Sequence, residues 1–300
     1  MNVTFRQLRL FLALAETGSV SGAARAMHVT QPTASMQLKE VANAVGLPLY
    51  EVVGRRLHLS EAGRELPRTA RAIAGEWDAF EQHVAGLQGL TRGRLKVAVV
   101  STAQSFVPRL LGSFCAQHPA IDISLEVQNR DGVVARLREN LDDLYVMSQP
   151  PADMDLHDQV FMPNPLVVIA PQGHALARRK ALALRELAAQ RFILRERGSG
   201  TRMTVDAHFQ RQRFRPELRL ELGSNEAIRE AVAGGLGLSV LSRHALPAGP
   251  GTLGLAVLDV QGFPLHSSWH VVHPAGKKLS PIAQVFQAHL LAQARSAHKG

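Results

Sequence analysis

The apolar residues at the start of the chain follow a helical period that turn residues interrupt twice. The first run predicts a helix that opens with the capping-box pattern of Thr4 and Gln7. Its apolar face consists of Phe5, Leu8, Phe11, Leu12 and Ala15. Residues 19–46 predict two more helices, with His28 and Val29 in the turn between them. Three helices with a tight turn before the third are typical of a helix-turn-helix unit.

The third predicted helix has an apolar stripe on one side and polar side chains on the other. Thr30 is its predicted N-cap, and Pro32 stands in its first turn, where a missing N–H costs little. The apolar stripe consists of Ala34, Leu38, Val41 and Val45. The polar side chains are Gln31, Thr33, Ser35, Gln37 and Lys39. Amides can address base edges, and hydroxyls and lysine can address phosphates, so DNA is the leading partner. A helical hairpin with a solvated face is the alternative.

A short alternating segment follows the three helices. Residues 47–50 lead into 54–59, which has a glycine turn, two arginines and alternating apolar residues, as a small β-wing does. Arg55 and Arg56 at the tip of such a wing could enter a minor groove or bind phosphate. A solvated turn is the alternative. Residues 1–60 are therefore predicted to form a winged helix-turn-helix DNA-binding domain, all-α apart from the wing.

Ser60 is the predicted N-cap of a long helix that runs to about Leu90. Its apolar residues alternate spacings of four and three, at Leu66, Ala70, Ile73, Trp77, Phe80, Val84 and Leu87. Such a seam marks a helix that packs along a partner helix, and the chain holds no second copy of it. Residues 61–90 therefore predict a linker helix that pairs two subunits of a homodimer or homotetramer. Docking on the chain's own C-terminal half is the alternative, and Pro67 predicts a kink or an irregular start.

Beyond residue 93 the pattern changes to short apolar strands that alternate with helices. The predicted strands are 95–100, 121–127, 144–147, 165–170, 192–195, 218–222 and 238–241. The predicted helices are one that opens at 101–105, one over 133–141 and one over 226–233. This alternation predicts mostly parallel sheets covered by helices. The length of 93–300 suits two α/β lobes, with lobe I at about 93–163 plus 270–300 and lobe II at about 164–269.

Polar loops follow three of these strands. They are Ser101-Thr102, Ser148-Gln149-Pro150-Pro151 and Gly198-Ser199-Gly200-Thr201-Arg202. Ligands of open α/β folds bind outside the carboxyl ends of strands, often between lobes. Hydroxyls and free backbone N–H groups at helix starts can bind an anion there. Each loop alone is equally explained as an ordinary cap or turn, and their joint occurrence favours a ligand site.

The net charge of +9 is not concentrated in the predicted DNA-binding segment. Residues 1–60 contain six Lys or Arg and three Asp or Glu, so most of the positive excess lies in the remainder of the chain. Surface arginines there can simply aid solubility. The more specific interpretation is that these residues line a basic cleft, which would favour an anionic ligand.

Composition and motifs limit which cellular compartments and which classes of protein fit the sequence. With Cys115 as the single cysteine, no intrachain disulfide can form, which suits a reducing compartment. No secretory signal pattern and no apolar run of about twenty residues is evident, so a cytoplasmic protein without membrane contact is expected. The histidines are scattered without metal-ligand spacing, and Ser199 does not stand in a G-x-S-x-G elbow. We therefore predict no catalytic residues, no metal site and no enzyme activity.

The N-terminal region resembles the winged helix-turn-helix of LysR-type transcriptional regulators. The resemblance rests on RQLRLFLALAETGSVSGAARAMHVTQPTASMQLKEV, followed by GLPLYE and GRRLHLSEAG. Two positions depart from the family pattern: Ala42 stands where an acidic residue is usual, and Val52 where arginine or glutamine is common. The C-terminal half resembles the family's two-lobed, periplasmic-binding-protein-like effector domain, so the resemblance covers nearly the whole chain.

Within that family the chain looks most like activators of Calvin-cycle (RuBisCO operon) genes, through the strings STAQSFVPRLLGSF, DDLYVMSQPP, NPLVVIAP and RERGSGTR. The likeness implies effector contacts at Ser101, Thr102, Asn129, Gln149, Ser199 and Thr201. It also implies RNA polymerase as a partner, and an anionic effector such as a sugar phosphate (ribulose bisphosphate), phosphoenolpyruvate or NADPH, with no other cofactor. Ser148 replaces an expected glycine and Arg197 an expected proline. A LysR-type regulator of an amino-acid, sulfur or aromatic operon, and a solute-binding protein without a regulatory role, are the alternatives.

Overall fold

A computed structural model describes residues 2–53, 56–87, 93–247 and 254–297. The chain divides into two compact units. The first comprises Met1–Gln88 with Glu139–Leu141, and the second comprises Gly89–Arg138 with Asp142–Gly300. None of the described helices is both long enough and apolar enough to span a bilayer.

The first unit contains four helices and a two-stranded wing within its described residues. They are α1 (Phe5–Thr17), α2 (Val20–Ala26), α3 (Gln31–Val45), β1 (Tyr50–Val53), β2 (Arg56–Leu59) and α4 (Glu61–Leu87). Both predicted caps form: Thr4 and Gln7 make a complete capping box, and Thr30 Oγ1 accepts a hydrogen bond from the Thr33 N–H at 3.4 Å. His28 turns the chain in the left-handed region (φ 53°) between α2 and α3. The predicted winged helix-turn-helix is confirmed.

The core of the first unit is wider than the predicted stripes. On α1 the most deeply buried side chains are Leu10, Phe11 and Leu14, not the predicted Phe5, Leu12 and Ala15, which are half-buried. The reason is that three other helices, α2, α3 and α4, pack against α1. On α3 the predicted inward positions Ala34, Leu38 and Val41 are buried. Val45 is only half-buried, because Gly46 ends the helix directly after it.

The start of α4 is tied to the wing by Ser60. Its hydroxyl accepts a hydrogen bond from the Gly63 N–H at 3.0 Å and donates one to the Pro48 carbonyl at 2.6 Å. Gly63 lies so close to the Leu49 carbonyl that an added Cβ would meet its oxygen at 1.7 Å, so only glycine fits. The helix continues through Pro67 without an irregular start.

The second unit contains a five-stranded sheet. Its strands are β3 (Gly93–Val100), β4 (Ile121–Gln128), β5 (Leu144–Met147), β6 (Leu156–Pro163) and β12 (Ser268–Pro274), in the order β4-β3-β5-β12-β6. Three helices accompany it: α5 (Val107–Gln117), α6 (Arg130–Arg138) and α9 (Pro281–Ala297). Its core gathers the buried Phe114, Tyr145, Trp269 and Phe286. This sheet and its helices form one lobe.

The second lobe is built on two smaller sheets. Its strands are β7 (Leu166–Pro171), β8 (Arg191–Arg195), β9 (Glu217–Leu222), β10 (Ser239–Ser242) and β11 (Leu255–Val257). Its helices are α7 (Gly200–Arg211) and α8 (Asn225–Ala233), with one-turn 3₁₀ helices at Ala175–Arg178, Leu184–Leu187 and Arg243–Ala245. Strands β10, β7 and β11 form an antiparallel sheet, and β8 and β9 a parallel pair.

The prediction of mostly parallel sheets is wrong. In the first lobe β3 is parallel to β4 and β5, but β12 is antiparallel to both β5 and β6. The chain leaves this lobe after β6 and returns through β12, more than a hundred residues later, in the opposite direction. The returning strand therefore makes the sheet mixed.

Two predicted helix starts are also corrected. The helix predicted to open at 101–105 is a 3₁₀ turn over Ala103–Ser105 and a separate α5, because Pro108 in the first turn favours a new helix start there. The helix predicted over 133–141 is α6, which begins and ends three residues earlier. It begins early because the Asn129 side chain accepts a hydrogen bond from the Gly132 N–H at 2.9 Å and so caps it.

Candidate functional sites

The exposed side of α3 is the candidate DNA-binding face. Its centre lies opposite the buried Ala34, Leu38 and Val41. The exposed residues at this centre are spaced four, three and four apart and are Pro32, Met36, Lys39 and Asn43. The predicted contacts Gln31, Pro32 and Lys39 are therefore open to a partner at the surface of the helix.

Three predicted contacts are less exposed than the sequence suggested. Thr33, Ser35 and Gln37 are half-buried, because they lie at the borders between the outward face and the apolar stripe of α3. The Thr33 hydroxyl also hydrogen bonds the Thr30 hydroxyl at 2.8 Å. These side chains flank the exposed face and do not form its centre.

The polar pattern of α3 does not identify Met36, because its side chain is apolar. It is 57% exposed in the middle of the outward face. An apolar side chain there can contact the methyl group of thymine, so it can take part in base recognition. The helical spacing opposite the apolar stripe was the signal that would have found both Met36 and Asn43.

The wing follows α3 as an antiparallel pair in which Val53 lies opposite Arg56. Arg55 and the side chain of Arg56 lie outside the described residues, so their predicted phosphate contacts rest on the sequence alone. Val52 and Val53, on the strand before the turn, are 60% and 61% exposed.

The predicted seam of α4 is exposed over its middle part. Ile73, Trp77 and Phe80 are large apolar side chains that are 44%, 48% and 56% exposed. Nearer the start of the helix Ala70 is buried. Nearer its end Val84 is half-buried, and the side chain of Leu87 and residues 88–90 lie outside the described part of the chain. A row of apolar side chains along one helix is therefore available to a partner.

The second unit places a buried arginine where its two lobes meet. Arg195, at the end of β8, is 2% exposed. Its guanidinium donates to the side-chain oxygens of Thr102 at 3.1 Å, Asn225 at 2.9 Å and Ser101 at 2.9 Å. It also pairs with Glu196 through two hydrogen bonds of 2.8 and 2.9 Å. One side chain thus joins the end of β3 in the first lobe to β8 and α8 in the second.

The loop before α7 lies against the first lobe next to this arginine. Gly198 has φ +92°, and an added Cβ there would meet the Asp131 carboxylate at 2.5 Å and the Asn129 side-chain nitrogen at 3.6 Å. An added Cβ on Gly200 would meet the Ser148 hydroxyl at 3.0 Å. Both glycines therefore permit a close approach of the two lobes.

This arrangement places the six predicted effector residues along the junction between the lobes, which is called the cleft below. Ser101 and Thr102 hydrogen bond Arg195, and Ser199 and Thr201 are buried at the start of α7. Gln149 donates to the hydroxyl of Thr204, on the same helix, at 3.2 Å. Asn129 uses its side-chain oxygen to cap α6. Arg195, Asn225 and Thr204 also lie here but were not predicted from the sequence. The signal for Arg195 is an arginine at the end of the apolar strand FILR.

Two family descriptions match the chain. Residues 5–64 match the bacterial regulatory helix-turn-helix protein, lysR family, and residues 88–295 match the LysR substrate binding domain. The chain belongs to the LysR family. The first match is to the helix-turn-helix of bacterial regulatory proteins, and the second is to the substrate-binding domain of the same family.

Three relatives within the LysR family are similar over most of their own length. The transcriptional activator CmpR of Synechocystis is 44% identical over 97% of this chain and 96% of its own. The RuBisCO operon transcriptional regulator of Acidithiobacillus ferrooxidans is 41% identical over 100% of this chain and 97% of its own. The solved regulatory domain of Synechocystis CcmR, in complex with 2-PG, is 46% identical, with a TM-score of 0.66, over 68% of this chain and 98% of its own.

The charged side chains around the cleft of this LysR protein are largely paired with one another. Arg202 donates to Asp206 at 2.8 Å and to Glu221 at 2.9 Å, and its guanidinium holds the pKa of the Glu221 carboxyl below its usual value. Arg130 donates to the Gln149 carbonyl at 2.6 Å. The first turn of α7 contains no acidic residue, and the Ser199 hydroxyl makes no capping hydrogen bond to it. The start of α7 thus offers N–H donors and a hydroxyl to an anion.

Proposed function

We propose that this protein is a transcriptional activator of carbon-fixation genes that responds to a phosphorylated metabolite. The observation that carries the proposal is the cleft in which Arg195 joins Ser101, Thr102 and Asn225 beside the start of α7. All N–H groups of the Arg195 guanidinium donate to protein acceptors, so the donors left for a phosphate are the Ser101 and Thr102 hydroxyls and the free N–H groups at the start of α7. The names of the relatives CmpR and RuBisCO operon regulator, and the 2-PG bound by CcmR, support the metabolic context.

We further propose how ligand binding is transmitted. Residues of the cleft come from both lobes, so a ligand that contacts both favours one relative arrangement of the lobes. Ligand binding shifts such an equilibrium only by its difference in affinity between the two arrangements. The shifted arrangement alters the spacing of paired subunits on DNA and the contact with RNA polymerase. Action on DNA places the protein in the cytoplasm.

A thermal-shift screen of the full-length protein tests the effector class. The screen compares 2-PG, phosphoenolpyruvate, ribulose bisphosphate and NADPH with aromatic acids and sulfur-containing amino-acid precursors at equal ionic strength. A ligand at 100 times its Kd stabilises the native state by about 2.7 kcal/mol, so a specific organic phosphate is expected to raise the Tm clearly. Stabilisation by aromatic acids or sulfur compounds alone would assign the chain to another LysR regulon.

We propose that α3 enters the major groove with Gln31, Thr33, Ser35 and Gln37 near base edges, while Lys39, Arg55 and Arg56 contact phosphates or the minor groove. Replacing Gln31 by alanine is expected to cost about 1–3 kcal/mol of operator binding if its amide reads a base bidentately. Fluorescence anisotropy with a promoter fragment that the wild-type protein retards, at one fixed salt concentration, measures this loss.

The matched control for this experiment is Gln172→Ala, which removes the same amide from an exposed position of the second unit. It should leave operator affinity unchanged. Equal affinities of wild type and Gln31→Ala would contradict the proposed interface.

We propose that the exposed stripe of α4 pairs two subunits. Replacing Phe80 by glutamate places a charge in that stripe, and we expect the dimer dissociation constant to rise at least about tenfold, which corresponds to 1.4 kcal/mol. Sedimentation equilibrium of the full-length protein measures it. Gly75→Glu is the control, because Gly75 lies on the other side of α4 and has open space around an added Cβ. Unchanged dimerisation of Phe80→Glu would exclude this stripe as the subunit contact.

A further inference from the structure

A cavity of about 570 Å³ lies beside the cleft but is lined by different side chains. Its walls come from the 3₁₀ turn and the start of α5 in the first lobe, and from α8, the Arg243–Ala245 turn and β11 in the second. Its lining includes Phe106, Arg109, Arg229, Arg243 and Val257. Pockets of about 300–1,000 Å³ are the size that small ligands occupy.

The charge of this cavity is strongly one-sided. Three arginines line it, and none of its described lining residues is acidic. The near carboxylate is that of Glu226, which is 3.9 Å from Arg229, and its side chain is 54% exposed. Arg109 and Arg243 are exposed, so their guanidinium groups are open to a ligand. Part of the net positive charge that lies outside residues 1–60 is thus concentrated in this cavity.

Arg229 is held in position while part of its guanidinium stays unpaired. One terminal nitrogen donates to the Ala245 carbonyl at 2.6 Å, which fixes the side chain against the 3₁₀ turn. Its Nε is buried and has no hydrogen-bond partner among the described residues. Because this nitrogen is buried, a ligand in the cavity can reach the guanidinium only through its terminal nitrogens.

We propose that this cavity is a second binding site, for a small organic phosphate. Guanidinium groups bind phosphate oxygens through paired, charge-assisted hydrogen bonds, and three of them suit a group with more than one negative charge. Phe106 and Val257 supply an apolar wall for the organic part of such a ligand. A purely inorganic ion would leave that wall unused.

The second site shares two structural elements with the cleft. Arg229 follows Asn225 by one turn of α8, and Asn225 hydrogen bonds Arg195 in the cleft. On the other side the Ser105 hydroxyl, which lines the second site, donates to the Thr102 carbonyl at 2.9 Å. The two sites are therefore joined through α8 and through the turn that follows β3.

Isothermal titration of the full-length protein with ADP and with pyrophosphate tests the proposal. Wild type is expected to bind ADP saturably and more tightly than pyrophosphate. The double variant Arg109→Gln/Arg243→Gln, which changes two exposed side chains, should bind ADP at least about tenfold more weakly, or 1.4 kcal/mol. Arg178→Gln removes an exposed arginine elsewhere in the second lobe and should bind as wild type does. Thr201→Trp, which fills the cleft, should also retain ADP binding.

Each contrary outcome overturns the assignment in its own way. Loss of ADP binding in Thr201→Trp but not in the double variant would place all binding in the cleft. Equal losses of ADP affinity in the double variant and in Arg178→Gln would show that ADP responds to the overall positive charge of the protein and not to this cavity. Equal affinity for pyrophosphate and ADP would show that the organic part of the ligand contributes no binding, which would contradict the proposed role of the apolar wall. A changed sedimentation coefficient of the double variant, with unchanged ADP affinity, would assign the arginines to a subunit contact.

Discussion

Replacing Arg195 by alanine is expected to destabilise the second unit by about 3–5 kcal/mol, because breaking a buried, hydrogen-bonded charge pair leaves its partners unsatisfied. The partners are the side chain of Glu196 and the buried side chains of Thr102 and Asn225. Arg195→Lys should recover only part of the loss, since an ammonium group lacks the planar fork that reaches several acceptors at once.

Urea unfolding followed by tryptophan fluorescence measures this change in the unit concerned. The chain has two tryptophans, of which Trp269 is buried in the second unit and Trp77 is 48% exposed in the first. A Trp77→Phe background therefore leaves one reporter in the unit that holds Arg195. Arg197→Ala, an exposed arginine two residues further on, is the control and should change stability by less than about 0.5 kcal/mol. Equal stabilities of Arg195→Ala and Arg197→Ala would show that the buried network does not hold the cleft together.

The sequence predicted the first unit well because its signals are local. The Thr4–Gln7 capping box, the Thr30 cap and the Ser60 cap each involve residues within three positions of one another, and each forms. Polarity alone predicts that Thr33 and Gln37 are exposed, but their position on the helix leaves them half-buried. Helical spacing from Ala34 and Leu38 places Met36 at the centre of the outward face, which residue type alone could not do.

In the second unit the strand ends were predicted, but the joining of the lobes was not. The loops at Ser101, Gln149 and Ser199 follow apolar strands, so sequence order alone suggested a shared edge. The contact of Arg195 with Ser101 links residues 94 positions apart and depends on how the lobes meet. Likewise β12 pairs with β5 across more than a hundred residues, and no local pattern encodes that antiparallel return.

Replacing Thr201 by tryptophan is expected to abolish the response to the effector while operator binding stays measurable. Thr201 is 5% exposed at the start of α7, so an indole there occupies space that the proposed ligand needs and has no room to turn away. We expect the affinity for a phosphorylated effector such as 2-PG to fall at least about a hundredfold, which corresponds to 2.7 kcal/mol. Isothermal titration measures it, and anisotropy with a retarded promoter fragment follows DNA binding in the same preparation.

Met203→Trp is the matched control, because it places the same indole two residues further along α7 on a side chain that is 43% exposed. It should keep both effector and operator affinities within about twofold, as surface substitutions generally do. Loss of operator binding together with effector binding in a folded Thr201→Trp protein would contradict the division between a DNA-binding unit and a ligand-binding unit. Retained effector affinity in Thr201→Trp would instead move the effector away from the start of α7, whatever the operator result, since a filled cleft cannot hold the same ligand.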